Sequence, residues 1–70
     1  MNKETIVRNK YNMPIGRCQD YSDRIIATNY KKGYVGYYNK GTDITFDAKG
    51  MIYCYGDATQ TLIREADKEN

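Results

Sequence analysis

Turn-forming residues recur at short intervals along most of this sequence and limit the length of any element between them. They form six clusters: Asn12-Met13-Pro14, Asp20-Tyr21-Ser22-Asp23, Lys31-Lys32-Gly33, Asn39-Lys40-Gly41, Asp47-Ala48-Lys49-Gly50 and Gly56-Asp57. The runs between clusters hold five to seven residues and are rich in β-branched and aromatic side chains. This pattern predicts an all-β antiparallel meander of about five to six short strands. We expect the strands at residues 5–10, 15–19, 24–30, 34–38, 43–47 and 51–55.

The turn at residues 47–50 carries the clearest local signal. The Asp47 side chain is suited to cap a type I turn, and Gly50 can adopt the left-handed conformation that starts the next strand. After Gly56 the pattern changes, because Asp57 fits a helix N-cap and Ala58, Leu62 and Ala66 recur at helical spacing. One C-terminal α-helix is therefore predicted. The expected organisation is a single small domain, with the meander at 1–56, the helix at 57–67 and a frayed tail at 68–70.

A short motif recurs in imperfect form. The segment Phe46-Asp47-Ala48-Lys49-Gly50-Met51-Ile52 resembles the Tyr-Asp-x-x-Gly-x-hydrophobic unit of bacterial YD-repeat (Rhs-like) β-hairpins. Similar segments start at Tyr11 and Tyr30, with Asn12 and Lys31 at the position of the Asp. The chain also resembles short bacterial and phage proteins of unassigned function that contain such units. The resemblance implies a fold built from hairpins and carries no activity.

The size of the chain leaves little apolar surface for a core. Ordering 70 residues costs about as much free energy as their burial supplies, and eight of the apolar side chains are tyrosines that need water or a polar partner. We expect the core to consist of Ile26, Val35, Ile44, Phe46, Ile52, Cys54, Leu62 and Ile63. Because dimerisation buries further surface, we predict a homodimer.

Strict alternation along the strands places many of the tyrosines on the face opposite this core. The candidates are Tyr30, Tyr34, Tyr38, Tyr53 and Tyr55. Such a face has three interpretations: ring packing that stiffens the sheet, an interface with another protein, or a platform on which nucleic-acid bases stack.

Charge is divided unevenly along the chain. Residues 1–41 hold eight basic and three acidic side chains, whereas residues 42–70 hold three basic and six acidic ones. The segment 30–41 combines Lys31, Lys32 and Lys40 with four tyrosines and has no acid. Basic groups interleaved with aromatic rings are typical of proteins that bind single-stranded nucleic acid. The candidate binding surface is therefore Tyr30, Lys31, Lys32, Tyr34, Tyr38, Lys40, Tyr53 and Tyr55.

The sequence lacks the residues that several classes of function require. The sequence has no His for general-base chemistry near neutral pH, and it has no G-x-S-x-G, P-loop or G-x-G-x-x-G motif. The two cysteines, Cys18 and Cys54, form no C-x-x-C pair, so we expect reduced thiols and no metal or cofactor. No apolar run approaches the roughly 20 residues of a membrane span, and the N-terminus lacks a signal-peptide core.

These observations lead to a cytoplasmic, non-enzymatic protein-interaction module, with a phage or mobile-element accessory protein as its expected setting. The partner is a second copy or an unidentified protein. The alternative is single-stranded nucleic-acid binding through the basic, tyrosine-rich hairpin.

Overall fold

Hairpins follow one another along the chain, as the spacing of the turn signals predicts. The computed structural model describes residues 3–68. Its six strands are β1 (Lys3–Arg8), β2 (Pro14–Asp20), β3 (Arg24–Asn29), β4 (Gly33–Asn39), β5 (Ile44–Asp47) and β6 (Ile52–Tyr55). They form one antiparallel sheet in sequential order, which confirms the predicted all-β meander.

The turns form because side chains at their first position accept hydrogen bonds from backbone amides farther along. In the β5–β6 turn, Asp47 Oδ1 accepts from the backbone N–H groups of Lys49 at 2.9 Å and Met51 at 3.0 Å. Gly50 has a φ of 85°, the left-handed conformation that closes this turn. Both predicted roles, the Asp47 cap and the left-handed glycine, are confirmed.

The β1–β2 turn repeats this arrangement with different residues. Asn9 Oδ1 accepts from the backbone N–H groups of Tyr11 at 2.9 Å and Met13 at 3.0 Å, and Asn12 has a φ of 66°. Asn9 is thus the equivalent of Asp47, and Asn12 is the equivalent of the turn glycine. In the turn geometry, the position of Asp47 thus belongs to Asn9, whereas the alignment on aromatic residues places Asn12 there.

The C-terminal helix α1 spans Thr59–Lys68, close to the predicted range. Asp57 Oδ1 accepts hydrogen bonds from the Thr59 backbone N–H at 3.1 Å and from the Thr59 hydroxyl at 2.7 Å, so Asp57 caps the helix start as expected. Lys68 is the last helical residue, and residues 69–70 of the predicted tail lie outside the described residues. No helix within residues 3–68 has the length and apolar character needed to cross a membrane.

Two strand glycines allow α1 to lie close to the sheet. A Cβ atom on Gly16 would stand 2.6 Å from Ile63 Cγ2, and one on Gly36 would stand 2.7 Å from Leu62 Cδ1. Both distances are too short for carbon atoms that are not bonded, so any side chain at these positions would push the helix away. Ile63 and Leu62 are buried as predicted, because each occupies the space above a glycine.

Two buried polar side chains join the helix to the sheet. Asn29 Nδ2 donates to the Ile63 carbonyl oxygen at 3.2 Å, while Asn29 Oδ1 accepts from two backbone amides of the β3–β4 turn. The Thr45 hydroxyl donates to the Gly56 carbonyl oxygen at 2.6 Å and accepts from the Ala58 N–H at 2.9 Å. The helix is therefore positioned by hydrogen bonds as well as by apolar contact.

The core between helix and sheet is small and differs from the predicted one. Its buried apolar members are Val7, Ile15, Cys18, Ala27, Leu62 and Ile63, and Ile25 and Val35 pack against it in part. Four predicted core residues, Ile26, Ile44, Phe46 and Ile52, lie on the opposite side of the sheet, and Cys54 is exposed. Only Val35, Leu62 and Ile63 of the predicted set contribute to the core. We call the helix side of the sheet the covered face.

Candidate interaction surface

A bulge in β4 separates two tyrosines that strict alternation places together. Tyr34 pairs with Thr28 and Tyr38 pairs with Ile25, with a shift of register between Ala27 and Thr28. Thr28 and Ile25 are three residues apart in β3 and therefore point to opposite faces. Tyr34 and Tyr38 accordingly lie on opposite faces of the sheet, and the expectation of a shared face was wrong.

A second bulge has the same effect in β6. Cys54 pairs with Thr45 and Ile52 pairs with Phe46, so Tyr53 is the extra residue between them. Tyr53 lies beside α1 in a cleft that Leu62 and Ala66 also line. Tyr55 pairs with Ile44 and points away from the helix, so Tyr53 and Tyr55 are on different faces too.

The side of the sheet away from the helix carries a continuous apolar row. Ile26 pairs with Tyr37, Tyr37 with Phe46, and Phe46 with Ile52, and paired residues share a face. The Tyr37 and Phe46 rings stack with centroids 5.2 Å apart. Ile44 and Tyr55 form a shorter row beside it. We call this surface the open face and define it by Ile26, Tyr37, Ile44, Phe46, Ile52 and Tyr55.

Exposure on the open face rises toward β6. Ile26, Tyr37, Ile44 and Phe46 are half-buried by their neighbours, whereas Ile52 is 56% exposed and Tyr55 is 75% exposed. All four residues of β6 are exposed, and the strand has no charged side chain. A strand at a sheet edge usually carries charges that prevent pairing with other chains, so β6 is an unprotected edge.

On the side of the sheet away from the helix, the surface becomes polar at β1 and β2. On β1 and β2 the same row continues through Glu4 and Gln19, and Arg17 lies one pair away, opposite Ile6. The Arg17 and Glu4 side chains approach to 3.9 Å, and the buried Nε of Arg17 has no hydrogen-bond partner. The apolar part of this side of the sheet thus lies mainly on β3–β6, and Ile6, 40% exposed, is an apolar residue on β1.

The structure distributes the three predicted lysines between two ends of the molecule. Lys31 and Lys32 are exposed in the β3–β4 turn, next to Tyr30. Lys40 lies at the other end, where its Nζ donates to Asp20 at 2.5 Å and to the Tyr21 carbonyl oxygen at 2.7 Å. The eight predicted binding residues therefore do not form one surface.

Local contacts raise the pKa of three tyrosines. Burial raises the pKa of Tyr34 above its ordinary value of 10.0, and the nearby Tyr37 adds to the effect. The pKa of Tyr38 is raised chiefly because its hydroxyl donates to Asp43 Oδ1 at 2.6 Å. Burial followed by the charge of Glu65 raises the pKa of Tyr53. These hydroxyls therefore stay protonated at neutral pH, and the Tyr38 hydroxyl donates its hydrogen bond to Asp43.

Comparisons with known proteins add no function to these surfaces. No protein-family model, curated protein or solved structure matches this chain. The resemblance to YD-repeat hairpins stays a prediction. Within residues 3–68, no group of three or more His, Cys, Asp or Glu side chains is placed to hold a metal ion.

Sequence reasoning did not place Ile26, Phe46 and Ile52 on the side of the sheet away from the helix, because it assigned these large apolar residues to the core. No local signal marks the side of the sheet on which they lie. Their position follows from which side of the sheet the helix covers, and from the bulges at Val35 and Tyr53.

Proposed function

We propose that this chain is a cytoplasmic, non-enzymatic protein-interaction module and that its open face binds a second copy of the chain. The observation that carries the proposal is an apolar row across four strands that ends in an exposed, uncharged edge strand. Large apolar side chains gathered on one surface of a soluble domain usually mark a site of association. A role as a phage or mobile-element accessory protein stays a prediction.

The dimensions of the molecule suit a dimer of this kind. The two longer extents of the whole molecule, 33 Å and 27 Å, limit its open side to roughly 900 Å² at most, so a standard interface, which buries about 800 Å² on each partner, would use nearly all of that side. Two sheets pack face to face at about 10 Å, which would place one helix on each outer side of the pair. The small core of the single chain would then be supplemented by a second apolar layer.

The distribution of polar residues favours one arrangement of the two copies. A twofold axis parallel to the strands would place β6 of one copy over the polar β1 of the other. An axis in the plane of the sheet and perpendicular to the strands places β6 over β6. The second arrangement joins apolar surface to apolar surface and leaves Glu4 and Arg17 at the rim, where water reaches them.

Sedimentation velocity over a range of concentrations tests the dimer. We expect wild type to sediment with twice the 8.1 kDa mass of the chain. Ile52→Lys places a charge in the apolar interface and is expected to weaken association at least about tenfold, because an unpaired charge is costly to bury. Thr61→Lys, an exposed position on α1, adds the same charge on the outer side and should dimerise like wild type.

Circular dichroism of the variants separates loss of association from loss of folding. Ile52 is more than half exposed, so Ile52→Lys should keep the wild-type spectrum. Tyr55→Lys provides a second variant at a position that is even more exposed. A wild-type protein that stays monomeric at several hundred micromolar, or folded Ile52→Lys and Tyr55→Lys proteins that dimerise like wild type, would refute the proposal.

A further inference from the structure

Positive charge gathers at one end of the sheet, away from the open face. The β1–β2 turn, the β3–β4 turn and the C-terminal end of α1 meet there. They enclose two adjoining cavities of about 480 and 190 Å³, which share Asn9, Ile15 and Asp67 as lining residues. The basic side chains that line the cavities are Arg8, Lys10, Lys31, Arg64 and Lys68. We call this region the basic end.

The charge of the basic end exceeds that of the whole molecule. Five basic side chains line it together with the acidic Asp67, whereas the entire chain carries a net charge of +2. The rest of the chain is therefore net negative. Lys68 lies in the last turn of α1, where the helix dipole favours a basic residue, and it also pairs with Glu65 at 3.2 Å.

The helix dipole does not account for the basic residues that come from the turns. Arg8, Lys10 and Lys31 belong to two separate hairpins that the fold brings beside the helix end. Like charges repel, so their convergence lowers stability unless an anion neutralises them. This arrangement indicates a ligand with several negative charges.

Exposed tyrosines accompany these charges. Tyr11 lines the larger cavity and is 72% exposed, and Tyr30 lines the smaller one with about half of its surface exposed. Lys10 Nζ lies 5.2 Å from the centroid of the Tyr11 ring, so a cation and an aromatic face occur at the same point. Lysines that contact phosphate beside rings that stack on bases are the features of single-strand binding sites.

We propose that the basic end binds single-stranded nucleic acid, with Arg8, Lys10, Lys31 and Arg64 on the phosphates and Tyr11 and Tyr30 stacked on bases. This site differs from the hairpin surface that the sequence predicted, because it includes α1 and the β1–β2 turn and excludes Lys40. It also lies apart from the open face. The test of this site is therefore independent of the test of the proposed dimer.

Fluorescence anisotropy of a labelled single-stranded oligo(dT) of about 12 nucleotides tests the proposal. About four phosphate contacts give a slope of about −2.8 in log affinity against log salt, which is a loss of about 50-fold between 50 and 200 mM NaCl. Lys10→Ala/Lys31→Ala is expected to weaken binding at least tenfold and to reduce the slope by about 1.4.

A matched control removes the same charge elsewhere. Lys3→Ala/Lys40→Ala acts at the opposite end of the sheet and should change affinity by less than about threefold. Tyr11→Ala should weaken binding about fivefold or more if a base stacks on the ring, and Tyr11→Phe should bind like wild type. Ile52→Lys, which tests the dimer, should leave oligo(dT) affinity unchanged per chain.

Three outcomes would overturn the proposal. The first is the absence of binding at 50 mM salt with tens of micromolar protein. The second is an equal loss in both lysine pairs, which would indicate diffuse charge attraction and no site. The third is binding to vesicles that contain phosphatidylserine without binding to oligo(dT), which would assign the basic end to a lipid surface.

Discussion

The covered face and the open face of this sheet differ in the size of their side chains. The covered face is lined along its middle by small residues, including Gly16, Cys18, Ala27 and Gly36, and the helix lies directly on them. The open face carries large apolar residues, and no helix or strand within residues 3–68 packs over them. Large apolar side chains are thus a poor guide to the core when a helix must approach the sheet closely.

The largest expected effect concerns the close approach on the covered face. A Cβ at Gly36 would stand 2.7 Å from Leu62 Cδ1 and would overlap the Phe46 carbonyl oxygen, and φ there is +149°. Overpacking and backbone strain together should lower the free energy of unfolding of Gly36→Ala by about 2–6 kcal/mol. Urea denaturation measures this change. Gly41→Ala, at an exposed turn position, should cost less than about 1 kcal/mol, and equal losses would contradict the role of close packing.

Truncation of one isoleucine to alanine on each face compares the two faces directly. Ile63 is fully buried on the covered side, so Ile63→Ala should lower the free energy of unfolding by about 2–5 kcal/mol. Ile52→Ala should cost less than about 1 kcal/mol in dilute solution, because Ile52 is 56% exposed in the single chain. The Ile52→Ala cost should grow with protein concentration if the open face dimerises. A large cost in dilute solution would mean that the open face is already packed.

The polar connection between helix and sheet should have an intermediate effect. Thr45→Val preserves shape but leaves the Ala58 N–H and the Gly56 carbonyl oxygen without their bonds to the buried hydroxyl. We expect a loss of about 1–3 kcal/mol in the free energy of unfolding, measured by thermal or urea denaturation. The same substitution at the exposed Thr42 is the control and should be within about 0.5 kcal/mol of wild type. Matching losses would show that the hydroxyl of Thr45 does not position the helix.

The reaction rates of the two thiols measure how well each cysteine is buried, without a change to the fold. Cys54 is exposed and should react with a thiol reagent at once, whereas Cys18 is buried under the helix. We expect Cys18 to react at least about 100-fold more slowly, which corresponds to an opening free energy of about 3 kcal/mol. The rates follow from absorbance at pH 8, with Cys54→Ser to isolate Cys18. Fast reaction of both thiols would show that the helix opens readily.

The smallest expected effect is a loss of stability at alkaline pH. Burial raises the pKa of Cys18 above its ordinary value of 9.0 in the folded protein. A raised folded pKa contributes stability that is fully present below the unfolded pKa and is lost as pH rises through the folded pKa. The free energy of unfolding should therefore fall above pH 9, and Cys18→Ala should reduce that fall. A steeper decline above pH 10 is expected from Tyr34, Tyr38 and Tyr53, whose pKa values are also raised.

Local chemistry made the strands and turns predictable. Each predicted strand lies within two residues of an observed one, because Asp47 and Gly50 act through contacts a few residues away. The helix was equally predictable from the sequence, since its Asp57 cap and the spacing of its apolar residues are local features. The division of residues between faces could not be predicted from the sequence, because it depends in part on the bulges at Val35 and Tyr53, each of which reverses the alternation beyond it.

The sequence by itself determined a meander of short hairpins followed by a capped helix, because turn-forming side chains and helical spacing act within a few residues. Tertiary structure alone decided which side of the sheet that helix covers. Gly16 and Gly36 admit the helix on one side, and Asn29 and Thr45 hold it there by hydrogen bonds to residues far along the chain. Such contacts leave no periodic mark in the sequence. The open face and the basic end therefore became recognisable as surfaces only after the chain was folded.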